Sequence, residues 1–546
     1  MSPLHPTARD APDALRAPVR ATLVIRNGTV LDGTGRRAFR ADIAIAGDTI
    51  IACGQVGTAE CEREGCEEID GTGLYVAPGF IDIHSHSDYT LLVDPRALSS
   101  LMQGVTLEVI GNCGHGCFPI AVPERATRAM YGYQPYVPIT WKTAADYFRR
   151  LEDVQPAINV ASLVPNGQLR LAVVGLVDRP ASKRERARML NLLDRALADG
   201  AWGLSTGLEY PAEVGTTPDE IAALCAVVAD ANGLYATHTR NRGRGAADAV
   251  AEAIATCERT GARLQVSHLL PRSGVEEGRR CVALVEEARR RGLDVAFDMH
   301  TRTFGLTYLH AILPPEILSG RRQDIARALS DPRARERMRG DVGMLGSGEW
   351  SKVVILHTPL WPQYAGRDIA SIAAEREQDA LDVVCDLLLA APDEPHALPI
   401  AIDCYDEAQQ REVFSHPLCM PASDATALAP DGPLAGTSFA GAYTWAAWFY
   451  RFMVREHALL SPEEAVARLT SVPARRLGLS DRGVIREGAR ADLVVFDPAR
   501  YGERGTRRDP NRFAVGVRHV VVNGVLALTN GAPTGLRPGR VLRRAG

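Results

Sequence analysis

Apolar positions along the chain follow two rhythms, and the change from one to the other outlines the architecture. Between 21 and 76, short alternating runs broken by Gly and Asn, ATLVIRNGTVLDGTG then ADIAIAGDTIIACG and on to LYVAPGF, predict strands joined by tight turns. The same rhythm returns in GVIREGARADLVVFDP (483–498) and VRHVVVNGVLAL (517–528). Two strand-rich ends around a long middle predict a small β-sandwich assembled from both termini, 21–78 with 479–546. Residues 1–20 are polar and proline-punctuated and predict a flexible leading segment.

From 79 to 478 the chain alternates apolar strand-like runs with amphipathic stretches of helical period. The strand candidates are GFIDIHSH (79–86), VTLEVIGN (105–112), INVASLV (158–164), AWGLSTG (201–207), GLYATH (233–238), RLQVSH (263–268), LDVAFDM (293–299) and LCMPASD (418–424). Helices are predicted at 182–200 and 218–233, the second closed by a glycine cap at Gly233. Eight such units predict an α/β fold, a (β/α)8 TIM-like barrel. Between the last two strands, 300–417 is too long for a crossover and predicts an inserted lid or subdomain that includes the strand-like VVILHT (353–358).

The composition narrows what such a barrel can do. The 546 residues are 46% hydrophobic and 23% charged, with a formal net charge of -4, and arginine is spread without a basic run that could track phosphates, which argues against nucleic acid as a partner. The first twenty residues lack an apolar signal-peptide core, and no run reaches membrane-spanning length without charge. FAGAYTWAAWFYRFMV (439–454) is the length of one buried helix and carries Arg451. Eleven scattered cysteines without a short secreted framework point to the reducing cytoplasm. Cys53, Cys61 and Cys66 cluster, and of a metal site, a disulfide or plain thiols, the last is favoured. Self-association into a homo-oligomer is left open.

The candidate chemistry sits at the ends of the predicted strands. His84 and His86 stand two apart, so a strand points both to one face. Cys113 follows VTLEVIGN, His238 ends GLYATH, His268 ends RLQVSH and Asp424 ends LCMPASD. Any one of these could be an ordinary rim or core side chain. Their recurrence at the mouth of one barrel points to a metal, and zinc accepts imidazole, thiolate and carboxylate together while leaving a position open for water. His115, His300 and His310 also lie near the mouth and are read as loop or rim residues.

The stretches APGFIDIHSHSD (77–88), VIGNCGHG (109–116), GAWGLSTGLEYP (200–211), YATHTRN (235–241), VSH (266–268), SD (423–424), LTSVPARRLGLSDRGVIREGARADLVVFDP (469–498) and VRHVVVNG (517–524) span nearly the whole chain. In them the sequence resembles the N-acyl-D-amino-acid deacylases, or D-aminoacylases, of the amidohydrolase superfamily. The resemblance implies a zinc-dependent hydrolase acting on the amide bond of a small molecule. It implies one tightly held Zn2+ on Cys113, His238 and His268, a second, weaker position beside His84 and His86, and Asp424 as proton shuttle. The superfamily's bridging lysine on strand four has no counterpart in AWGLSTGLEY, and Cys113 takes its place in the family pattern.

The departures concern substrate. Leu270 stands where these deacylases carry a lysine for the substrate carboxylate, and MHTRTFG (299–305) replaces their tyrosine-rich turn. Arg272 and Arg302 are the candidate replacements, because a guanidinium suits a carboxylate. Against the deacylase stand two alternatives: the same hydrolase acting on another amide, such as a xenobiotic or antibiotic amide, with Leu270 lining an apolar pocket, and a barrel retained only as a non-catalytic scaffold.

Overall fold

A computed structural model of the chain describes residues 20–57, 65–243, 245–314, 317, 322–339, 345, 349–356, 360–390, 398–507 and 509–544. The expected flexible segment 1–20 falls outside them except for Arg20. The N-terminal strands are β1 (Leu23–Val30), β2 (Phe39–Ala46), β3 (Thr49–Gly54), β4 (Glu67–Asp70) and β5 (Tyr75–Pro78). Next come β6 (Phe80–Asp82), β7 (Val105–Ile110), β8 (Asn159–Ser162), β9 (Val164–Pro165), β10 (Gly203–Gly207), β11 (Leu234–His238), β12 (Arg263–Val266) and β13 (Val295–His300). The segment 300–417 contributes β14 (Phe304–Tyr308), β15 (Val353–Ile355) and β16 (Pro399–Asp403). After it come β17 (Cys419–Ala422), β18 (Leu493–Phe496), β19 (Val517–Val522), β20 (Val525–Thr529) and β21 (Ala532–Pro533).

Both termini join one sheet of nine strands in the order β21-β20-β19-β18-β5-β1-β2-β3, with β4 also on β1. The link between the ends is β5 against β18, antiparallel, with Pro78 opposite Leu493 and Tyr75 opposite Phe496. Leu23, Ile25, Ile43 and Ile45 bury one face of this sheet against Leu493, Val495 and Val521. The β domain therefore draws on both ends of the chain, as the alternating pattern predicts.

The barrel strands pair in parallel, β6-β7-β8 and β9-β10-β11-β12-β13-β17. Only Leu163 separates β8 from β9, and its N–H donates to Ile110 O at 2.9 Å, so the two form one path. The ring closes between its first and last members: Ser85 bridges Ala425, His86 N donates to Ala425 O at 2.8 Å, and Asp424 N donates to His84 O at 2.9 Å. Closure brings the two ends of the barrel segment to the same place, although about 340 residues separate them.

Helix α1 (Lys183–Ala198) starts at Ser182, whose side chain accepts from Glu185 N while Glu185 answers the cap, the reciprocal arrangement that the S-x-x-E spacing favours. Helix α2 (Pro218–Asp230) starts on Thr217 with proline in its first turn. Its end departs from expectation. Asn232, at φ 49°, takes the left-handed position, and Gly233 is needed for close approach, because a Cβ there would meet Val228 at 3.0 Å. Helices α3 (Ala246–Thr260) and α4 (Val275–Arg290) continue the alternation.

Within 300–417 the strands pair antiparallel as β14-β16-β15, with their own apolar core of Ile355, Ile369, Val384 and Ile400. Of the expected strand at 353–358, Val353–Ile355 is present as β15, Leu356 lies beyond it, and 357–358 fall outside the described residues. Among the described residues nine cysteines are free thiols, Cys53 among them. The plain-thiol expectation fails at Cys66, which is disulfide-bonded; its neighbour Cys61 lies outside the described residues. No helix among the described residues is long and apolar enough to cross a membrane.

Candidate metal centre

The six residues singled out at the strand ends converge. His84 and His86 leave the end of β6 with ring centroids 5.3 Å apart. Cys113 follows β7, His238 ends β11, His268 follows β12 and Asp424 follows β17. Cys113 Sγ lies 3.2 Å from His84 Nε2 and 3.4 Å from His268 Nε2. Two donor sets result, each with ligand atoms within 4.8 Å of one another: Cys113 with His238 and His268, and Cys113 with His84, His86 and Asp424. The sulfur belongs to both.

The backbone holds these donors at a cost. Cys113 (φ 52°), His268 (φ 35°) and Asp424 (φ 43°) adopt the left-handed conformation that residues with a Cβ rarely take. The turn carrying Cys113 packs so closely on β10 that a Cβ on Gly207 would come within 2.1 Å of Cys113 O.

Carboxylates aim the imidazoles. His84 Nδ1 lies 3.0 Å from Asp298 Oδ1, which also accepts from His268 N at 2.8 Å, and Asp298 Oδ2 accepts from Gln265 at 2.8 Å. His238 Nε2 lies 2.9 Å from Glu209 Oε2, which Arg272 holds at 2.6 Å. Asp424 Oδ1 lies 3.2 Å from His86 Nε2 and 3.6 Å from His84 Nε2, while Oδ2 receives Arg302 at 2.9 Å.

The electrostatics suit cation binding. Burial opposes the Cys113 thiolate, yet the facing charges of His84 and His268 and the hydrogen bonds of His238 and His268 hold the thiol well below its ordinary range. Burial likewise opposes the charge on Asp424, but His86 and Arg302 keep its carboxyl well below the usual value. His115, whose Nδ1 lies 2.9 Å from Cys113 O, is pushed down to about 4 by burial and by His86. Nδ1 of His86, His238 and His268 is buried without a protein partner. A set of one thiolate, four imidazoles and a carboxylate, with three orphaned ring nitrogens, fits zinc.

The substrate candidates are placed differently. Leu270 is buried, with Cδ2 directed at Gly278 of α4 and the surrounding core. Arg272 is committed to Glu209. Arg302 is committed to Asp424 and to the carbonyls of Ser423 (2.5 Å) and Ala440 (3.0 Å). His300, expected on a loop or rim, is the last residue of β13 and buried, with its ring 5.2 Å from that of Tyr405. His310 stacks on Tyr308 at 6.0 Å. Asp298, Glu209 and the aromatic wall are not among the candidates drawn from the sequence. In that wall Tyr131 stacks on His86 at 4.8 Å, and Tyr210 lies 4.7 Å from His238 and 4.4 Å from His115. An acid inside the apolar run LDVAFDM was the available signal for Asp298.

Known proteins resemble the chain over nearly its full length. An N-acyl-D-glutamate deacylase of Alcaligenes xylosoxydans xylosoxydans is 35% identical over 527 residues, 96% of each chain. A D-aminoacylase of the same organism is 30% identical over 96% of this chain and 97% of its own. The crystal structure of an N-acyl-D-glutamate deacylase from Bordetella bronchiseptica, complexed with zinc and a phosphonate inhibitor that mimics the tetrahedral intermediate, superposes with a TM-score of 0.78. It is 30% identical and covers 96% of this chain and 100% of that one. The amidohydrolase family profile matches residues 67–527, and the chain belongs to the amidohydrolase family.

Proposed function

We propose that the protein is a zinc-dependent hydrolase of linear amide bonds whose substrates are N-acyl-D-amino acids. The observation that carries this reading is the Cys113 sulfur shared by two donor sets, with the Asp424 carboxylate against the second. Zinc held by Cys113, His238 and His268 would polarise the amide carbonyl and bring the pKa of water toward about 7.

The protein's own residues supply the remainder. Arg302 occupies Oδ2 of Asp424, so Oδ1, which faces His84 and His86, is the atom that takes the proton from the attacking water and returns it to the departing amide nitrogen. Asp298 fixes His84 through Nδ1 with Nε2 toward Cys113, whereas Glu209, braced by Arg272, holds His238 through Nε2 and leaves its Nδ1 without a protein partner. Tyr131 covers His86 and keeps bulk water from that side of the centre.

The domain limits are part of the reading: 21–78 with 479–546 as a composite β-sandwich, 79–478 as the eight-unit barrel, and 300–417 as its inserted lid. So is residence in the cytoplasm, which the nine free thiols among the described residues favour although Cys66 is disulfide-bonded. A neutral amide is the second reading, favoured by the engagement of Arg272 and Arg302 with the protein's own carboxylates. Zinc-loaded protein assayed on N-acetyl-D-glutamate, N-acetyl-D-methionine, their L-enantiomers and matching neutral amides separates the two. Turnover confined to the neutral amides would establish the second reading, and no turnover of any amide would end both.

A further inference from the structure

Among the described residues five arginines are buried: Arg170, Arg242, Arg302, Arg476 and Arg482. Four have a carboxylate, respectively Glu220, Asp424, Asp294 and Asp492. Arg242 is the exception. Its Nη2 donates to three uncharged oxygens, His268 O at 2.9 Å, Leu270 O at 3.2 Å and Tyr405 Oη at 2.7 Å. The nearby acid, Glu209, is already occupied: Oε1 accepts the backbone N–H of Arg242 at 2.8 Å, and Oε2 serves His238 and Arg272. Nε and Nη1 of Arg242 make no hydrogen bond, yet they are not sealed from solvent as Nε of Arg302 is. The guanidinium shares the field of Glu209 with Arg272 and His238 and makes no ion pair of its own, and two donors left open beside the metal centre suit an anion brought in from outside.

Building on the proposed deacylase reading, we infer that Arg242 receives the α-carboxylate of the substrate. The placement matches the chemistry. Arg242 is bonded to the carbonyl of His268, whose ring is part of the metal-binding set, and in an N-acyl amino acid the carboxylate is borne by the carbon attached to the scissile nitrogen. Tyr405, just beyond β16, fixes the guanidinium and ties the inserted segment 300–417 to the end of β11. Arg242 thereby supplies the cation that Leu270 lacks.

The test is calorimetric binding of N-methanesulfonyl-D-glutamate, a non-hydrolysable sulfonamide, and of its α-carboxamide to the zinc-loaded protein. The wild type is expected to prefer the carboxylate by about ten- to a hundredfold, the usual weight of charge-assisted hydrogen bonds. Arg242→Gln is expected to bind both forms alike, and Arg242→Met, which retains the stem without donors, gives the same reading should the glutamine variant prove unstable. Retention of the wild-type preference in either variant overturns the assignment, as does a wild type without preference. A wild type that shows the preference but hydrolyses no N-acyl-D-amino acid refutes the deacylase reading and leaves Arg242 as the carboxylate site.

Discussion

The two halves of the metal centre are built on one plan with opposite emphasis. In each, a carboxylate contacts a histidine and an arginine holds the carboxylate: Glu209 between His238 and Arg272, Asp424 between His86 and Arg302. Glu209 stands outside the donor set and orients its imidazole. Asp424 stands inside, within reach of Cys113 and the two histidines that follow β6. On the proposed reading the same triad serves support on one side and chemistry on the other, and the difference is one of placement: Asp424, at φ 43°, lies within the donor set and Glu209 outside it.

The harshest way to break the comparison is to remove what both halves share. Cys113→Ala is expected to lose tight zinc and essentially all turnover, measured by elemental analysis beside the assay; full zinc occupancy with intact activity would refute the shared-sulfur arrangement. Asp424→Asn removes a proton acceptor while nearly keeping shape. Fold and zinc should persist as kcat falls about 10²–10⁴-fold, and a loss of only a few-fold would take Asp424 out of proton transfer. Glu209→Gln weakens support alone, so zinc affinity or activity should drop about 10–100-fold. A larger drop than that of Asp424→Asn, read in the same kinetics, would reverse the assignment of the two roles. Smallest in effect on turnover should be Leu270→Ala. It empties a core position and should lower unfolding stability by about 2–5 kcal/mol in denaturant titrations with kcat/KM within a few-fold, whereas a selective rise in KM would place Leu270 against the substrate.

The strand ends were legible because each metal candidate terminates an apolar run, where a barrel gathers side chains from sequence-distant segments. Asp298, Glu209 and Arg242 were not legible in the same manner. Each is defined by a partner on a different strand or loop, and neither period nor spacing carries that pairing. The stretch 300–417 shows the same limit at larger scale. Its length betrayed it, and β15 could be read locally, but β15 and β14 flank β16 in a sheet whose antiparallel register depends on contacts between segments tens of residues apart. Capping shows it in miniature. Gly233 was read as the cap that closes α2, but the left-handed turn falls on Asn232, and Gly233 instead packs closely on Val228, a contact that the local sequence does not carry.

The three left-handed residues of the centre, Cys113, His268 and Asp424, give the protein a latent instability at its most useful positions. Each conformation costs of order 1–3 kcal/mol, so the apo barrel is under tension at the points where a cation would bind. Substitutions that relax the backbone there, glycine above all, would make a calmer and more durable protein that no longer gathers its donors. Selection for robustness and selection for activity therefore pull these three codons in opposite directions.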